Sequence, residues 1–265
     1  MNTYAFDQGW QKERDRLAGI ESLFDSYSTR RLADVGVSEG WQCLEVGFGA
    51  GGVALWLAER VGSTGRVVAV DLDPRFLDGH GRANLEVRKH DVAADPLEEA
   101  AFDLAHARAV LDLVPDRQRA LERMLSAVRP GGWLVLEEID IGGIMTAALA
   151  HYTHPPEHAA LYERITRAIE AAGRATQFDP NFGARLVGAF TEAGLVNIAA
   201  EVHTPLVVGG TNGWIPGIVE NVAEVLVGTG LVTASDIESF LALTADPSFR
   251  YAPTFMVTAW GQHLA

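Results

Sequence analysis

Two periods govern where apolar residues fall along this chain, and the changes between them mark its organisation. Between Trp10 and Tyr27, the residues Leu17, Ile20, Leu23 and Phe24 recur at the spacing of one helix face. A second helix is expected from about Thr29 to Val35, closing on a glycine-containing turn. Short apolar runs then take over. "CLEVG", "VVAVD", "LEVRKHD", "FDLAHAR" and "WLVLEE" read as strands bounded by glycines or carboxylates. Helices separate them: one spans Val53 to Val61, and another presents Leu121, Met124, Leu125 and Val128 before stopping at Arg129-Pro130-Gly131-Gly132. Strands alternating with helices predict a parallel sheet wound by right-handed crossovers.

After Asp140 the rhythm breaks. "HYTHPPEH" is turn-like, and the helix after it would bury Leu161, Ile165, Ala168, Ile169 and Ala172. A further helix ends at Gly194, placed as a C-cap glycine. "VNIAAEVHTPLVV" and "TFMVTAWGQ" have strand composition, and between them lies a helical insertion with a capping box expected from Ser235 to Glu238. The economical division is a single domain over 1–265. Its core is 41–140, and a helical cap comes from the N-terminal segment 1–36 and insertions at 141–180 and 211–247.

Composition narrows the classes of function. With 48% hydrophobic and 21% charged residues the 265-residue chain has a globular profile. Its net charge is −14, from 35 acidic and 21 basic side chains, and no basic stripe is visible. That argues against nucleic acid, whose binding needs clustered cations, and against anionic membrane surfaces. A neutral or cationic small molecule suits it better. The single cysteine, Cys43, rules out an internal disulfide and reads as a buried, inert thiol. Without an apolar leader or a long apolar span, the expected location is the cytoplasm.

The chemistry concentrates in "LEVGFGAGG". Gly47, Gly49 and Gly52 fit the G-x-G-x-x-G of a dinucleotide loop, while Glu45, Gly47, Gly49 and Gly51 fit the E-x-G-x-G-x-G of an S-adenosylmethionine loop. Charge separates the two. A pyrophosphate would rest on the helix N-terminus after the loop, where Glu45 would repel it. An ammonium and a sulfonium have the opposite preference. Asp71 ends the second strand, where a carboxylate accepts hydrogen bonds from both ribose hydroxyls; NAD sites share that acid. Asp91 follows the third strand, in position to take a hydrogen bond from an adenine amino group.

Taken together, "CLEVGFGAGG", "VVAVDLDP", "KHDV", "FDLAHARAVLDLVPD" and "VRPGGWLVLEE" resemble, in order and spacing, the motif series of class I S-adenosylmethionine-dependent methyltransferases. The likeness runs from about Trp41 to Asp140 and is nearest the bacterial small-molecule branch. It implies a Rossmann-like, doubly wound α/β sheet of seven strands whose last, "TFMVTAWGQ", is antiparallel, with a helical cap over the substrate. It also implies that Glu45, Gly47, Gly49 and Gly51 surround the methionyl part, Asp71 binds the ribose and Leu72 packs on adenine. Asp91 and the backbone of Val92 would read the adenine edge, with the chain at Ala107 and Arg108 meeting the amino group.

Methyl transfer is a displacement at carbon, so positioning supplies much of the acceleration, and a base is needed only where the acceptor must lose a proton. The candidate bases at the carboxyl edge are Asp112, Glu138, Asp140, His151 and His154, with Asp140, His151 and His154 carried forward as the catalytic set. His151, His154, Glu157 and His158 do not have helical metal-ligand spacing, and Pro155 and Pro156 interrupt them, so no metal is expected. Tyr4, Phe6, Trp10, Tyr152, Phe178, Phe182, Trp214 and Phe255 would give an aromatic, largely apolar pocket for a lipophilic or aromatic metabolite. Two other readings share the fold: a protein that keeps the cofactor as a scaffold for cyclisation or rearrangement, and one that only senses it.

Overall fold

The computed structural model describes residues 13–176 and 178–264. Among them the main sheet has seven strands: β1 (Gln42–Val46), β2 (Arg66–Asp71), β3 (Leu85–Lys89), β4 (Phe102–Arg108), β5 (Val128–Asp140), β6 (Val196–His203) and, after a separate antiparallel pair of β7 (Val207–Val208) with β8 (Arg250–Tyr251), β9 (Phe255–Gln262). Their spatial order is β3-β2-β1-β4-β5-β9-β6. β1 pairs in parallel with β2 and β4, and β9 runs antiparallel to both β5 and β6. This is the doubly wound seven-stranded sheet expected, including its reversed last strand. The strand order reverses between β1 and β4, which opens a crevice at their carboxyl ends. β2 and β4 are continuous buried runs because helices cover both of their faces.

The helices are α1 (Glu13–Asp34), α2 (Gly52–Val61), α3 (Arg117–Ala127), α4 (Ile144–His151), α5 (Ala159–Ala175), α6 (Leu186–Glu192), α7 (Trp214–Asn221), α8 (Ala223–Gly228) and α9 (Ala234–Ala245). α1 is one continuous helix of 22 residues, where two were expected. Ser28 and Thr29 do not break it, because their hydroxyls donate back to the carbonyls of Phe24 (3.1 Å) and Asp25 (2.7 Å) within the helix. His151, expected in a turn, ends α4. The Arg129–Gly132 stop is taken into β5 as an irregularity: Phe102 aligns with Val128, but Leu104 aligns with Trp133. The capping box of α9 is Thr233 with Asp236, two residues before the expected pair, because extended Thr233 caps the Asp236 N–H while Asp236 takes the Thr233 N–H.

α1 crosses the top of the sheet and packs on α7, where a Cβ on Gly19 would come within 2.7 Å of the Trp214 nitrogen. Ile20, Phe24, Tyr162, Ile165, Trp214 and Phe240 join these helices to α5 and α9 in one buried cluster. No helix among the described residues is long and apolar enough to cross a membrane.

Candidate functional site

A cavity of about 450 Å³ lies between the carboxyl ends of the strands and the helices above them. Its strand-side wall begins in the turn from β1 into α2. Gly47 has a φ of 68°, and a Cβ there would run into the Val110 side chain, so this backbone needs glycine to approach the next loop. Gly49 also lines the cavity. Gly51 does not; it serves close packing against Leu77.

Asp71 closes β2, and its carboxylate accepts the Gly49 N–H (3.3 Å) and the Asp73 N–H (3.0 Å). Burial pushes its pKa up to about 6, against the lowering effect of those N–H groups. Leu72, Asp91 and Val92 continue the same wall. One oxygen of Asp91 takes the Ala93 N–H at 2.9 Å, which orders the turn after β3. Arg108 and Ala109 reach the cavity, whereas Ala107 is buried within the sheet and does not. The Arg108 side chain turns to α1, pairing with Asp25 (2.7 Å) and the Ser28 hydroxyl (2.9 Å).

Glu45 lines the cavity from below. Its carboxylate meets His106 Nδ1 at 2.7 Å, and His106 Nε2 meets Glu137 at 3.0 Å, with all three side chains buried. Burial alone would lower the His106 pKa; the flanking carboxylates outweigh it and push it up to about 9. Burial would likewise raise Glu137, but its bond to His106 holds it below the usual carboxylate range. Glu45 goes the other way, raised by burial that His106 only partly offsets. His106 was not singled out from the sequence. It sits among alternating small residues in "FDLAHAR", and only strand pairing reveals that it faces Glu45.

The catalytic candidates divide. His151 is exposed at the end of α4, edge-on to Tyr152, and His154 is exposed with its backbone bridged to Arg250. Asp140, its pKa raised by burial, closes β5. None of the three lines the cavity. The chain leaves β5 into α4, which packs along α5, so the histidine segment reaches the outer edge of the cap instead of arching over the crevice. Asp112 does line the cavity. Both of its oxygens are buried without a hydrogen-bond partner among the described residues, and Glu138 lies beside it, accepting the N–H groups of Leu111 (2.9 Å) and Asp112 (3.2 Å).

The helical wall is mainly apolar, with Glu13, Arg16 and Glu21 of α1 and Thr166 of α5 as its polar members. Leu17 and Ile20 come from α1, Ile165 and Ile169 from α5, and Ile215 and Ile218 from α7. Of the aromatic residues expected here, Phe178 and Trp214 line the cavity. Tyr152 is exposed, Phe182 belongs to a core cluster beneath the sheet and Phe255 packs at the margin of the cap cluster. Tyr4, Phe6 and Trp10 lie outside the described residues. The wall is thus more aliphatic than aromatic, because cap helices turn their i, i+3 and i+4 positions inward and those positions hold isoleucine.

Residues 44–136 match a protein family described as methyltransferase domain. A protein named methyltransferase str2, from Strobilurus tenacellus, is 32% identical over 129 residues, covering 47% of this chain and 45% of its own. A demethylmenaquinone methyltransferase from Staphylococcus aureus is 32% identical over 139 residues, covering 49% of this chain and 57% of its own. The chain thus spans about half the length of these curated relatives. In fold it is similar to the YcgJ protein from Bacillus subtilis, with a TM-score of 0.61 at 11% identity over 91% of this chain and 99% of that one.

Proposed function

We propose that this chain, whose residues 44–136 match the methyltransferase-domain family, is a class I S-adenosylmethionine-dependent enzyme that methylates a small lipophilic metabolite in the cytoplasm. One observation carries the reading: Glu45, Asp71 and Asp91 line the same cavity as an aliphatic wall built by α1, α5 and α7. The acids suit an ammonium, a diol and an exocyclic amine, which are the three polar recognition points of S-adenosylmethionine. Gly47 supports the fit, since its missing Cβ leaves the backbone free to approach a ligand. When bound, that cofactor supplies an electrophilic methyl group on a sulfonium.

The residues of this chain would then do three things. Glu45 holds the amino group, Asp71 orients the ribose, and the turn at Asp91 and Val92 receives the adenine edge. The cap helices exclude water and keep an acceptor at attack distance, a saving that needs no base. The aliphatic wall favours an uncharged acceptor over a nucleic acid or an amino acid. Mass spectrometry of lipophilic metabolites incubated with the protein and an isotope-labelled methyl donor tests this directly. A labelled product supports it. Binding of NAD, with no calorimetric response to either S-adenosylmethionine or its demethylated product, overturns it.

Asp71→Ala is expected to weaken binding of S-adenosylhomocysteine by about 1.5–3 kcal/mol, the range for hydrogen bonds to a charged group. In the free protein the carboxyl titrates near 6, and a bound diol favours its charged form. Affinity should therefore fall as pH drops below about 6 and flatten above it, with a proton released on binding at the acid end. Calorimetry in buffers of different ionisation enthalpy reads both effects, and Asp71→Ala should abolish the pH dependence.

The exposure of His151 and His154 gives a further expectation. His151→Gln and His154→Gln should each leave turnover within a few fold of the parent, whereas loss of a true general base typically costs about 10²- to 10⁴-fold. A drop of that size in either variant would return the histidine segment to the reaction.

A further inference from the structure

The Glu45–His106–Glu137 triad raises a question of cost. Three ionisable side chains are buried side by side in the middle of a sheet, on β1, β4 and β5. Replacing such groups with apolar residues of similar volume is often neutral or stabilising, so stability alone does not account for them. Strand pairing sets the arrangement. Glu45 stands directly opposite His106 in the β1–β4 register, and Glu137, paired with Arg108, lies diagonally across from His106 on β5.

Hydrogen bonding then favours one protonation state. Both ring nitrogens of His106 face carboxylate oxygens, so the doubly protonated ring can donate to each, and the two carboxylates favour that form. The imidazolium is anchored from the far side, because Glu137 also accepts the Thr258 hydroxyl from β9 at 3.3 Å. Thr258 in turn meets His203 Nε2 from β6 at 3.3 Å. The other cation nearby, Arg108, is engaged by Asp25 of α1. Two carboxylates thus share one imidazolium. Of the three triad members, only Glu45 lines the cavity.

We infer that His106 is a positioning residue for the amino-acid end of the methyl donor: clamped between Glu45 and Glu137, it fixes the Glu45 carboxylate as the acceptor for the donor's ammonium. The inference rests on the cofactor reading above. His106 itself does not touch the ligand. It sets the rotamer of Glu45 and gives its ionised form a counter-charge, and an ammonium in the cavity supplies a second one. Without the imidazolium, Glu45 would face a second buried carboxylate with no cation between them. The carboxyl would then protonate or turn away.

The test compares two nucleosides that differ at the end in question. S-adenosylhomocysteine carries the amino acid portion, and 5′-methylthioadenosine lacks it. In His106→Asn, affinity for S-adenosylhomocysteine should fall about ten- to hundredfold, the equivalent of one hydrogen bond to a charged group. Affinity for 5′-methylthioadenosine should stay within about twofold of the parent, since Asp71 and Asp91 are untouched. The deaminated analogue of S-adenosylhomocysteine should bind the parent and the variant alike. Should His106→Asn not fold, Glu137→Gln removes the far anchor and is read the same way, with a smaller loss.

Equal losses for both nucleosides would make the triad merely structural and overturn the inference. So would unchanged affinity for S-adenosylhomocysteine. If the unmodified protein binds neither nucleoside, the cofactor reading itself fails. If it binds both and the variants show no selective loss, only the role of His106 falls.

Discussion

Trp214→Ala is expected to cost about 3–5 kcal/mol of folding stability, the range for deleting a large buried aromatic side chain. Trp214 opens α7 and is 2% exposed, with its ring edge-on to Phe24 of α1 at 5.9 Å. The seam is tight because Gly19 leaves no Cβ between the two helices. Asn212 fastens it by accepting the Trp214 N–H (2.9 Å) and donating to the Gly19 carbonyl (2.8 Å). Those polar contacts survive the substitution, so α1 and α7 cannot collapse into the space left, and the cavity penalty is felt in full. Urea unfolding gives the size of the loss. A change below about 1 kcal/mol would show that the seam is not cohesive. Because Trp214 also lines the cavity, the variant should bind lipophilic acceptors more weakly, while S-adenosylhomocysteine, held at the strand side, should be less affected.

The second large effect comes from Asp112 and Glu138. Both are fully buried, and burial raises both carboxyls. Glu138 is raised further by Asp112; Asp112, raised also by Asp179, reaches about 7 although Glu138 and Arg117 pull it down. The sign follows from which state binds the proton. In the unfolded chain Asp112 ionises near its ordinary value, while in the fold it keeps its proton to higher pH. Unfolding therefore releases a proton between about pH 4 and 7, and stability falls as pH rises through that window. Above it the ionised, buried carboxylate costs up to about 4 kcal/mol, since each tenfold change in proton affinity is worth about 1.4 kcal/mol. Asp112→Asn should accordingly be more stable than the parent at pH 8 by about 2–4 kcal/mol, with the gain vanishing near pH 4. Denaturant midpoints of the two proteins from about pH 4 to 8 measure it. A variant less stable at every pH would mean that the carboxyl has a partner in solution.

Much of the strand-side wall of the cavity was legible in the sequence. Glu45, Gly47, Gly49, Asp71, Leu72, Asp91, Val92 and Arg108 all line the cavity that the structure shows. They lie within a few residues of strand ends, so the parallel sheet gathers them once its topology is given. The same reasoning was weaker for Gly51 and Ala107, which serve packing beside that wall and do not form it. His151 and His154 stand away from the cavity for a related reason. "HYTHPPEH" follows a strand that ends at the right edge, but where its side chains go depends on how α4 packs, and residue spacing does not encode that.

The sequence by itself determined the alternation of strands and helices, the order of the sheet implied by its motif series, and the acids placed at strand ends. Those features depend on residues close along the chain, where period, turn chemistry and charge act locally. Only the tertiary structure decided that the cap wall of the cavity is mainly aliphatic and that Glu45 is held by His106 and Glu137. Each depends on residues brought together from distant segments. Burial and charge then set their energies: burial alone would keep His106 neutral, and the two carboxylates that enclose it outweigh burial and favour its imidazolium.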